Sequence, residues 1–597
     1  MKAKPQKLTP REVFKEKTRN PLRIRSSDLI KQLFTKITYF KSQDHALICG
    51  RGWIHKREVL FLGQEKPKGD DLTYAHRINF GMMKPEGYRQ AIEILSYAED
   101  NLLPIITFID TPGADPSTES AKALQSWAIS DCITRFCTVK TPTVSLILGE
   151  GGSGGALALQ VTDRRLMMEH AMYYVIAPES CGSIIFRDNT KIDESIELLR
   201  PTSKDIFELG VVDEVIKEPD EIEDHEKYVK AIRPAIIKAL NDVLKMDMDK
   251  LIDRRRKRVL SYGINKKQGF ISQVVDFFQR EGTSTLSSKA KVVDSSQLSD
   301  ILELAYLQSK NIDLTKPHIL CEKVDGRGCG QYIPQEVYLE NSKSCPHCGK
   351  GETLSADEWI DLICDPNTFT EFNSKITVRE LFNREDLKPD YLKMLENTEI
   401  RSGVTEALMT GVAKISGYRC VLALSNFNFI GGSMGAALGE KFHRAVLFCI
   451  AKRLPLISIC ASGGARMHEG TVSLMQMAKT NMTLTLLKEA KLPYISILVH
   501  PCTGGAIASY ATQGTINIGE ENALLCFAGP RVTQLAGIKV DPQVTISNFV
   551  HEQDGVNELT SRKKLRKPLV RYLKFYYETH EQPKQSQSTS KKEVKED

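Results

Sequence analysis

No stretch of this 597-residue chain approaches the roughly 18 uninterrupted apolar residues that a membrane helix needs. A helical membrane protein is thereby excluded. The opening run, MKAKPQKLTPREVFKEKTRNPLRIR, is basic but has no apolar centre of the kind a secretory signal carries. Its two glutamates argue against a transit sequence, and residues 1–19 are read as a solvated basic arm. Cysteine is scarce: there are fourteen, most of them isolated in apolar strand-like runs. That excludes a disulfide scaffold and points to reduced thiols in a soluble, cytoplasmic protein. Net charge is also small, since 81 Lys and Arg against 75 Asp and Glu leave +6, too little to mark a nucleic-acid surface.

Several chemistries are missing as well. GEGGSGG at 149–155 is not followed by the Lys-Ser/Thr of a phosphate-binding loop. No Ser-His-Asp set and no Cys-His pair can be read. His500 and Cys502 flank a glycine turn and His468 follows Arg466, positions that suit a structural role or a wall near the substrate. There is no Met-Lys-Met biotin attachment motif and no ATP-grasp region. What remains is an ordinary globular composition, 41% hydrophobic and 26% charged, at a length that predicts three to four domains or two large ones.

An internal repeat organises the chain. LPIITFIDTPGA (103–114) aligns with LPLISICASGGA (454–465), and TPTVSLILGEGGSGGALAL (141–159) with LPYISILVHPCTGGAIASY (492–510), at an offset of about 350 residues. APES from Ala177 matches AGPR from Ala528. Each copy reads as helix, proline, apolar strand, glycine turn, helix, proline, second strand, Gly-Gly turn, helix, third strand. The chain is therefore read as two copies of one α/β domain. Between them lie a charged helical stretch and a cysteine-bearing segment. The amphipathic run MDKLIDRRRKRVLSYGI within that stretch is expected to turn its RRRKR to solvent. The tail from Glu578 is expected to be disordered.

In each copy a Val/Ile/Leu strand ends in a glycine turn followed by a small-residue helix: Gly154-Gly155 in the first, Gly504-Gly505 in the second. Glycine admits unusual φ values and close approach to the backbone. The amides at such a turn are unpaired helix-start donors that can stabilise an enolate or tetrahedral oxyanion. Tight strand–helix packing would also place glycine there, but duplication at matching positions favours a functional reading. Cys321, Cys329, Cys345 and Cys348 are the only clustered thiols. CPHCG is a good half-site for a tetrahedral Zn²⁺, with His318 as a fallback fourth ligand. A short segment poor in apolar residues needs such a staple to fold.

These residues carry a resemblance. NFGMMKPEGYRQAI, PIITFIDTPGA and GEGGSGGALAL make residues 20–260 similar to the α subunit of bacterial acetyl-CoA carboxylase carboxyltransferase. The cysteine segment with SGVTEALMTG, FNFIGGSMGAALGEKFHRA, CASGGARMHEG, SLMQMAKT, LPYISIL and FAGPRV makes residues 317–577 similar to its β subunit. The resemblance implies an α/β fold of two crotonase-like (ClpP/crotonase) domains built from repeated ββα units. These are an α-like domain at 20–260 and a β-like domain at 353–577, with a linker at 261–316 and a small zinc ribbon at 317–352.

It also implies transfer of a carboxyl group from carboxybiotin, on a separate biotin carboxyl carrier protein served by a separate biotin carboxylase, to acetyl-CoA, giving malonyl-CoA for fatty acid synthesis. The family's oxyanion pairs fall on Gly154, Gly155, Gly504 and Gly505, and its zinc ligands on Cys321, Cys329, Cys345 and Cys348. Its active sites form between α-like and β-like domains of different subunits, so a homodimer is expected. Arg466, Arg444 and Lys441 become candidates for the CoA phosphates. The alternatives are a carboxyltransferase acting on another acyl-CoA such as propionyl-CoA, or an inactive zinc-ribbon homologue that binds nucleic acid or regulates. The chain departs from the family pattern in the first cysteine knuckle, which is longer by about five residues than the usual x2 spacing. Cys502 also stands where the β family has Thr.

Overall fold

The computed structural model describes residues 8–264, 317–382, 387–535 and 537–580. Each half is built on one twisted sheet. In the first half the strands are β1 (Thr35–Tyr39), β2 (Leu47–Ile54), β3 (Arg57–Gln64), β4 (Ile105–Thr111), β5 (Thr143–Gly152), β6 (Arg164–Met168), β7 (Met172–Tyr174) and β8 (Glu214–Ile216). Their order is β1-β2-β3-β4-β5-β6-β8, with β7 also paired to β5. A two-stranded unit follows, β9 (His318–Leu320) against β10 (Tyr332–Pro334). The second half repeats the first with β11 (Thr370–Phe372), β12 (Leu408–Ile415), β13 (Tyr418–Ser425), β14 (Leu456–Ser462), β15 (Tyr494–Thr503), β16 (Ile516–Glu520), β17 (Leu525–Cys526) and β18 (Glu558–Thr560), in the order β11-β12-β13-β14-β15-β16-β18, with β17 on β15.

In both halves antiparallel hairpins lead into a parallel core. Residues of β4 and β14 are buried at every position, because helices cover both faces of a parallel sheet. That is why these strands read as unbroken apolar runs rather than as alternating ones. Crossover helices supply the cover: α1 (Pro85–Asp100), α2 (Gln125–Thr138) and α3 (Ser153–Leu157) in the first half, α4 (Met248–Leu260) at its end, and α5 (Ala436–Lys452), α6 (Thr471–Glu489), α7 (Gly504–Ile507) and α8 (Arg566–His580) in the second. Proline or glycine stands at or just before the start of α1 and α5, where a missing or unpaired N–H costs nothing.

The two halves share one core. A single apolar cluster runs from Ile24 to Tyr576, carried across the junction by α2 and α6. Helix α6 is buried on nearly every face, so its polar side chains need partners, and most find them. Asn481 Nδ2 donates to Ser130 O at 3.0 Å, Ser130 Oγ donates to Ser509 O at 2.9 Å, and Lys479 pairs with Glu440 at 2.7 Å.

Three expectations change here. The arm over 1–19 is only partly solvated where it is described, with Phe14 and Thr18 buried. Pro10–Glu12 is closed by a capping box with Thr9, and Phe14 is fully buried against Met172, Tyr174, Ile192 and Ile196. The RRRKR run does not face solvent as a block. Arg255 is buried and binds Asp163, Phe136 O, Val139 O and Thr141 O, while Arg258 binds Asp213 and Gly210 O. Only Lys257 of that stretch stands well out in water, beside Asp253. The 261–316 linker begins as packed chain, since Tyr262 is buried and its carbonyl accepts Lys479 Nζ at 3.1 Å. The rest of the linker, from 265, and the tail from 581 lie outside the described residues. No helix among the described residues is long and apolar enough to cross a membrane, and all fourteen cysteines are free thiols.

Candidate functional site: two glycine turns around one methionine

Ligands of parallel α/β sheets bind at the carboxyl ends of the strands, and both glycine turns lie there. β5 runs into α3 through Ser153 at φ +52°, and β15 runs into α7 through Gly504 at φ +60°. That left-handed residue turns the chain sharply from strand to helix, and glycine takes it without strain. A side chain on Gly154 would begin 3.2 Å from Met477 Cε and 3.7 Å from Phe527 Cε2. One on Gly505 would begin 3.2 Å from Met434 Cε and 3.3 Å from Met477 Sδ. Gly154 and Gly505 therefore face the same thioether, on α6, from opposite halves of a single chain. Each occupies the first turn of its helix, where an amide has no acceptor inside the helix.

Their neighbours do other work. Gly155 is a packing glycine: a Cβ there would sit 2.5 Å from Ala114 N, and its carbonyl accepts Gln64 Nε2 at 2.9 Å. The Gly504 amide donates to Phe527 O at 3.0 Å. Ser153 matches Gly504, Gly154 matches Gly505, and Gly155 matches Ala506. The two Gly-Gly pairs are thus one residue out of register with each other, as the alignment of 141–159 with 492–510 also has them, and only Gly154 and Gly505 stand at matching positions. A narrow cleft beside the turns is lined by Asp115, Gln125 and Trp127 from the first half and by Phe527, Val540 and Val544 from the second. The Asp541 amide reaches across it to Thr118 Oγ1 at 3.0 Å.

Behind the first turn lies a buried ionic network. Glu150 accepts Lys66 Nζ at 2.5 Å and Arg19 Nε at 2.7 Å, and its backbone amide donates to Asp110, which pairs with Arg25 at 2.9 Å. Burial alone would raise the Glu150 pKa, but Lys66 and Arg19 outweigh it and hold the carboxyl at about 2. The acid of GEGG is thus a permanent anion that fixes its turn.

The three basic residues expected at CoA phosphates are placed otherwise. Arg466 is buried and pairs with Glu406 and, at 3.1 Å, with Glu469, and it donates to Ser433 O at 2.8 Å. Glu469 in turn accepts the Ala436 amide at 2.6 Å and Tyr391 OH at 2.7 Å. Lys441 is buried as well, and its ammonium donates to Leu408 O at 3.1 Å. Neither can meet a phosphate, because an ion held without water is committed to its buried partners. Arg444 lies partly buried at the helix surface on Glu440, 2.7 Å away. The two imidazoles near the second turn are neutral and only weakly basic. Burial first, then Arg466, lowers His468 to about 4, and burial with Arg327 lowers His500 to about 3. The Cys502 thiol is pushed well above its ordinary value by burial.

The four cysteine sulfurs converge. Cys321, Cys329, Cys345 and Cys348 place their Sγ atoms within 4.8 Å of one another, with Cys321–Cys348 at 3.6 Å and Cys329–Cys345 at 3.7 Å. A tetrahedron with Zn–S near 2.3 Å has edges of about 3.8 Å, so this donor set fits a tetrahedral metal ion. Cys321 completes the set, and His318 stands outside it on β9. Residues that sequence reasoning did not single out are Met477, Phe527, Glu406 and Arg327. Met477 sits in SLMQMAKT, but nothing in a methionine's neighbourhood marks it as a floor shared by two turns.

Comparison with known proteins agrees with the two-part build. Residues 3–263 match the family model "acetyl co-enzyme A carboxylase carboxyltransferase-like", and residues 353–589 match the carboxyl transferase domain. The β subunit of acetyl-coenzyme A carboxylase carboxyl transferase from Protochlamydia amoebophila is 38% identical over 248 residues, covering 41% of this chain and 81% of that protein. The α subunit from Alcanivorax borkumensis is 40% identical over 253 residues, covering 41% of this chain and 78% of that protein. Among solved structures, transcarboxylase 12S aligns over 98% of this chain and 94% of its own at 12% identity and a TM-score of 0.30. The chain belongs to the acetyl-CoA carboxylase carboxyltransferase family and carries an α-subunit-like and a β-subunit-like half in one polypeptide.

Proposed function

We propose that this carboxyltransferase moves a carboxyl group from carboxybiotin, presented by a separate biotin carboxyl carrier protein, to acetyl-CoA, giving malonyl-CoA. The observation that carries the reading is the pair of first-turn glycines, Gly154 and Gly505, facing Met477 from the two halves. The transfer needs two oxygens stabilised at once, the enolate oxygen of the thioester and the ureido oxygen of biotin. Two backbone donors in a dry cleft can do this without reorganising. When bound, carboxybiotin supplies the carboxyl group and, after its loss, a basic ureido nitrogen for the proton leaving the acetyl methyl.

The chain then has to bind, orient and exclude water. Met477, Met434 and Phe527 supply an apolar floor, and the weak basicity of His468 and His500 agrees with a substrate that brings its own base. Cys321, Cys329, Cys345 and Cys348 would hold one structural Zn²⁺ per chain. Biotin carboxylase and the carrier protein are the partners this reading requires.

The test runs the reaction in reverse, with free biotin as the acceptor and a panel of malonyl-CoA and methylmalonyl-CoA. Decarboxylation of malonyl-CoA is expected to have the highest kcat/KM. A preference for methylmalonyl-CoA would reassign the acceptor to propionyl-CoA, and no turnover with either would sink the proposal.

A further inference from the structure

The first cysteine knuckle, Cys321-Glu322-Lys323-Val324-Asp325-Gly326-Arg327-Gly328-Cys329, is longer than metal binding requires, since two to four residues suffice between paired ligands. Its extra residues form a tight hairpin. Val324 and Arg327 exchange both backbone hydrogen bonds at 2.9 Å, and Asp325 and Gly326 take φ +51° and +73°, the Asp-Gly type I′ turn. The hairpin delivers Arg327 inward, where it is 5% exposed.

There the guanidinium joins three elements. Nε donates to Asn522 O at 2.5 Å, in the turn between β16 and β17; Nη2 donates to Gly351 O at 3.0 Å; and Nη1 lies 2.5 Å from His500 Nδ1, on β15. Asn522 returns the contact to the cluster, donating from Nδ2 to Cys348 O at 2.6 Å. His500 begins the segment His500-Pro501-Cys502-Thr503 that ends in Gly504. The same segment is paired with β17 and bonded to the residues that flank it, by Cys502 N to Leu524 O at 2.9 Å and by Gly504 N to Phe527 O at 3.0 Å. A second clamp lies alongside: Arg562 bonds Ser342 O and Glu352 O in the cysteine segment and pairs with Glu520, whose other oxygen accepts the His500 amide at 3.0 Å.

We propose that Arg327 is a positioning residue for carboxyl transfer: the lengthened knuckle carries it from the four-cysteine cluster to the base of the Gly504-Gly505 turn, and so fixes the direction of the Gly505 amide. The inference rests on the function proposed above for that turn. It gives the cysteine segment a task beyond its own folding, and it gives the extra knuckle residues a reason to be there.

The test uses the full-length, metal-loaded protein with Arg327→Ala and Arg327→Lys. Three quantities are read: metal per chain, hydrogen exchange of the amides over 500–505, and kcat and KM for malonyl-CoA decarboxylation with free biotin. Arg327→Ala is expected to keep its metal, to exchange faster over 500–505, and to lose about ten- to a hundredfold in kcat, the scale of a reacting group misplaced by an ångström. KM is expected to stay within about twofold, since ground-state binding is untouched. A lysine cannot reach Asn522, Gly351 and His500 together, so Arg327→Lys is expected to show the same changes in smaller measure, and it carries the test if the alanine variant does not fold. Native exchange and native kcat in Arg327→Lys overturn the proposal, as does loss of metal from both variants. If the unmodified protein fails to turn over malonyl-CoA, the functional reading fails alone, and the exchange measurement still decides whether Arg327 holds the turn.

Discussion

Glycines that look alike in the sequence divide into two kinds once their surroundings are known. Gly154 and Gly505 open toward Met477, whereas a Cβ on Gly155 would meet the backbone of Gly113 and Ala114. A methionine tip can move and a main chain cannot. Gly154→Val and Gly505→Val are therefore expected to fold at a cost of about 1–3 kcal/mol for crowding Met477, while obstructing the turn amide lowers kcat by roughly 10²–10³, the scale of a lost oxyanion donor. Gly155→Ala is expected to cost about 1–3 kcal/mol of stability by overpacking. Side-by-side thermal melts and turnover assays read both. A Gly154→Val protein with native kcat would remove this glycine from the chemistry. Arg466 gives the same lesson for charge: CASGGARMHEG shows an arginine beside a glycine turn, and only the positions of Glu406 and Glu469 show it to be walled in.

At the scale of the element, helix α4 shows how far a charge run can mislead. RRRKR has the composition of a solvated face, yet Arg255 ties α4 to Asp163 and to three carbonyls at the end of α2 and the start of β5. Removing one partner of a buried pair leaves the other charge without compensation. Arg255→Ala is expected to destabilise the protein by about 3–5 kcal/mol, and Lys257→Ala, two residues on, by less than about 0.5 kcal/mol. Urea unfolding of both variants checks this, and equal midpoints would contradict it. The repeat itself, with its strand–turn–helix order, was legible because strands buried on both faces leave unbroken apolar runs bounded by proline and glycine. The cysteine cluster was legible because its ligands lie close in sequence. Arg327 was not: its three partners sit 24 to 195 residues away, and no local pattern records them.

For the whole molecule, the two turns meet within one chain. The family resemblance led to a homodimer because it placed the α-like and β-like domains of different subunits across each site. Here α2, α3, α6 and α7 also bring Gly154 and Gly505 to Met477 within one chain, so two arrangements of the site can be compared directly. Mixing discriminates the arrangements. Chains carrying Gly154→Val, co-expressed with chains carrying Gly505→Val, are expected to recover no transfer activity, because every site then contains one blocked turn. Recovery well above either variant alone would show that the sites form between chains.

Residue order alone determined the duplication, the glycine turn that ends the second parallel strand of each copy, and the four-cysteine set. These follow from periodicity, from the few residues that tolerate a left-handed turn, and from ligand spacing, all of them local. Tertiary structure decided that one glycine of each pair faces Met477, and where the basic residues spend their charge. It also decided what the long knuckle holds. Each of these depends on atoms brought together from hundreds of residues apart, where a shift of one residue reverses what is buried and what is exposed.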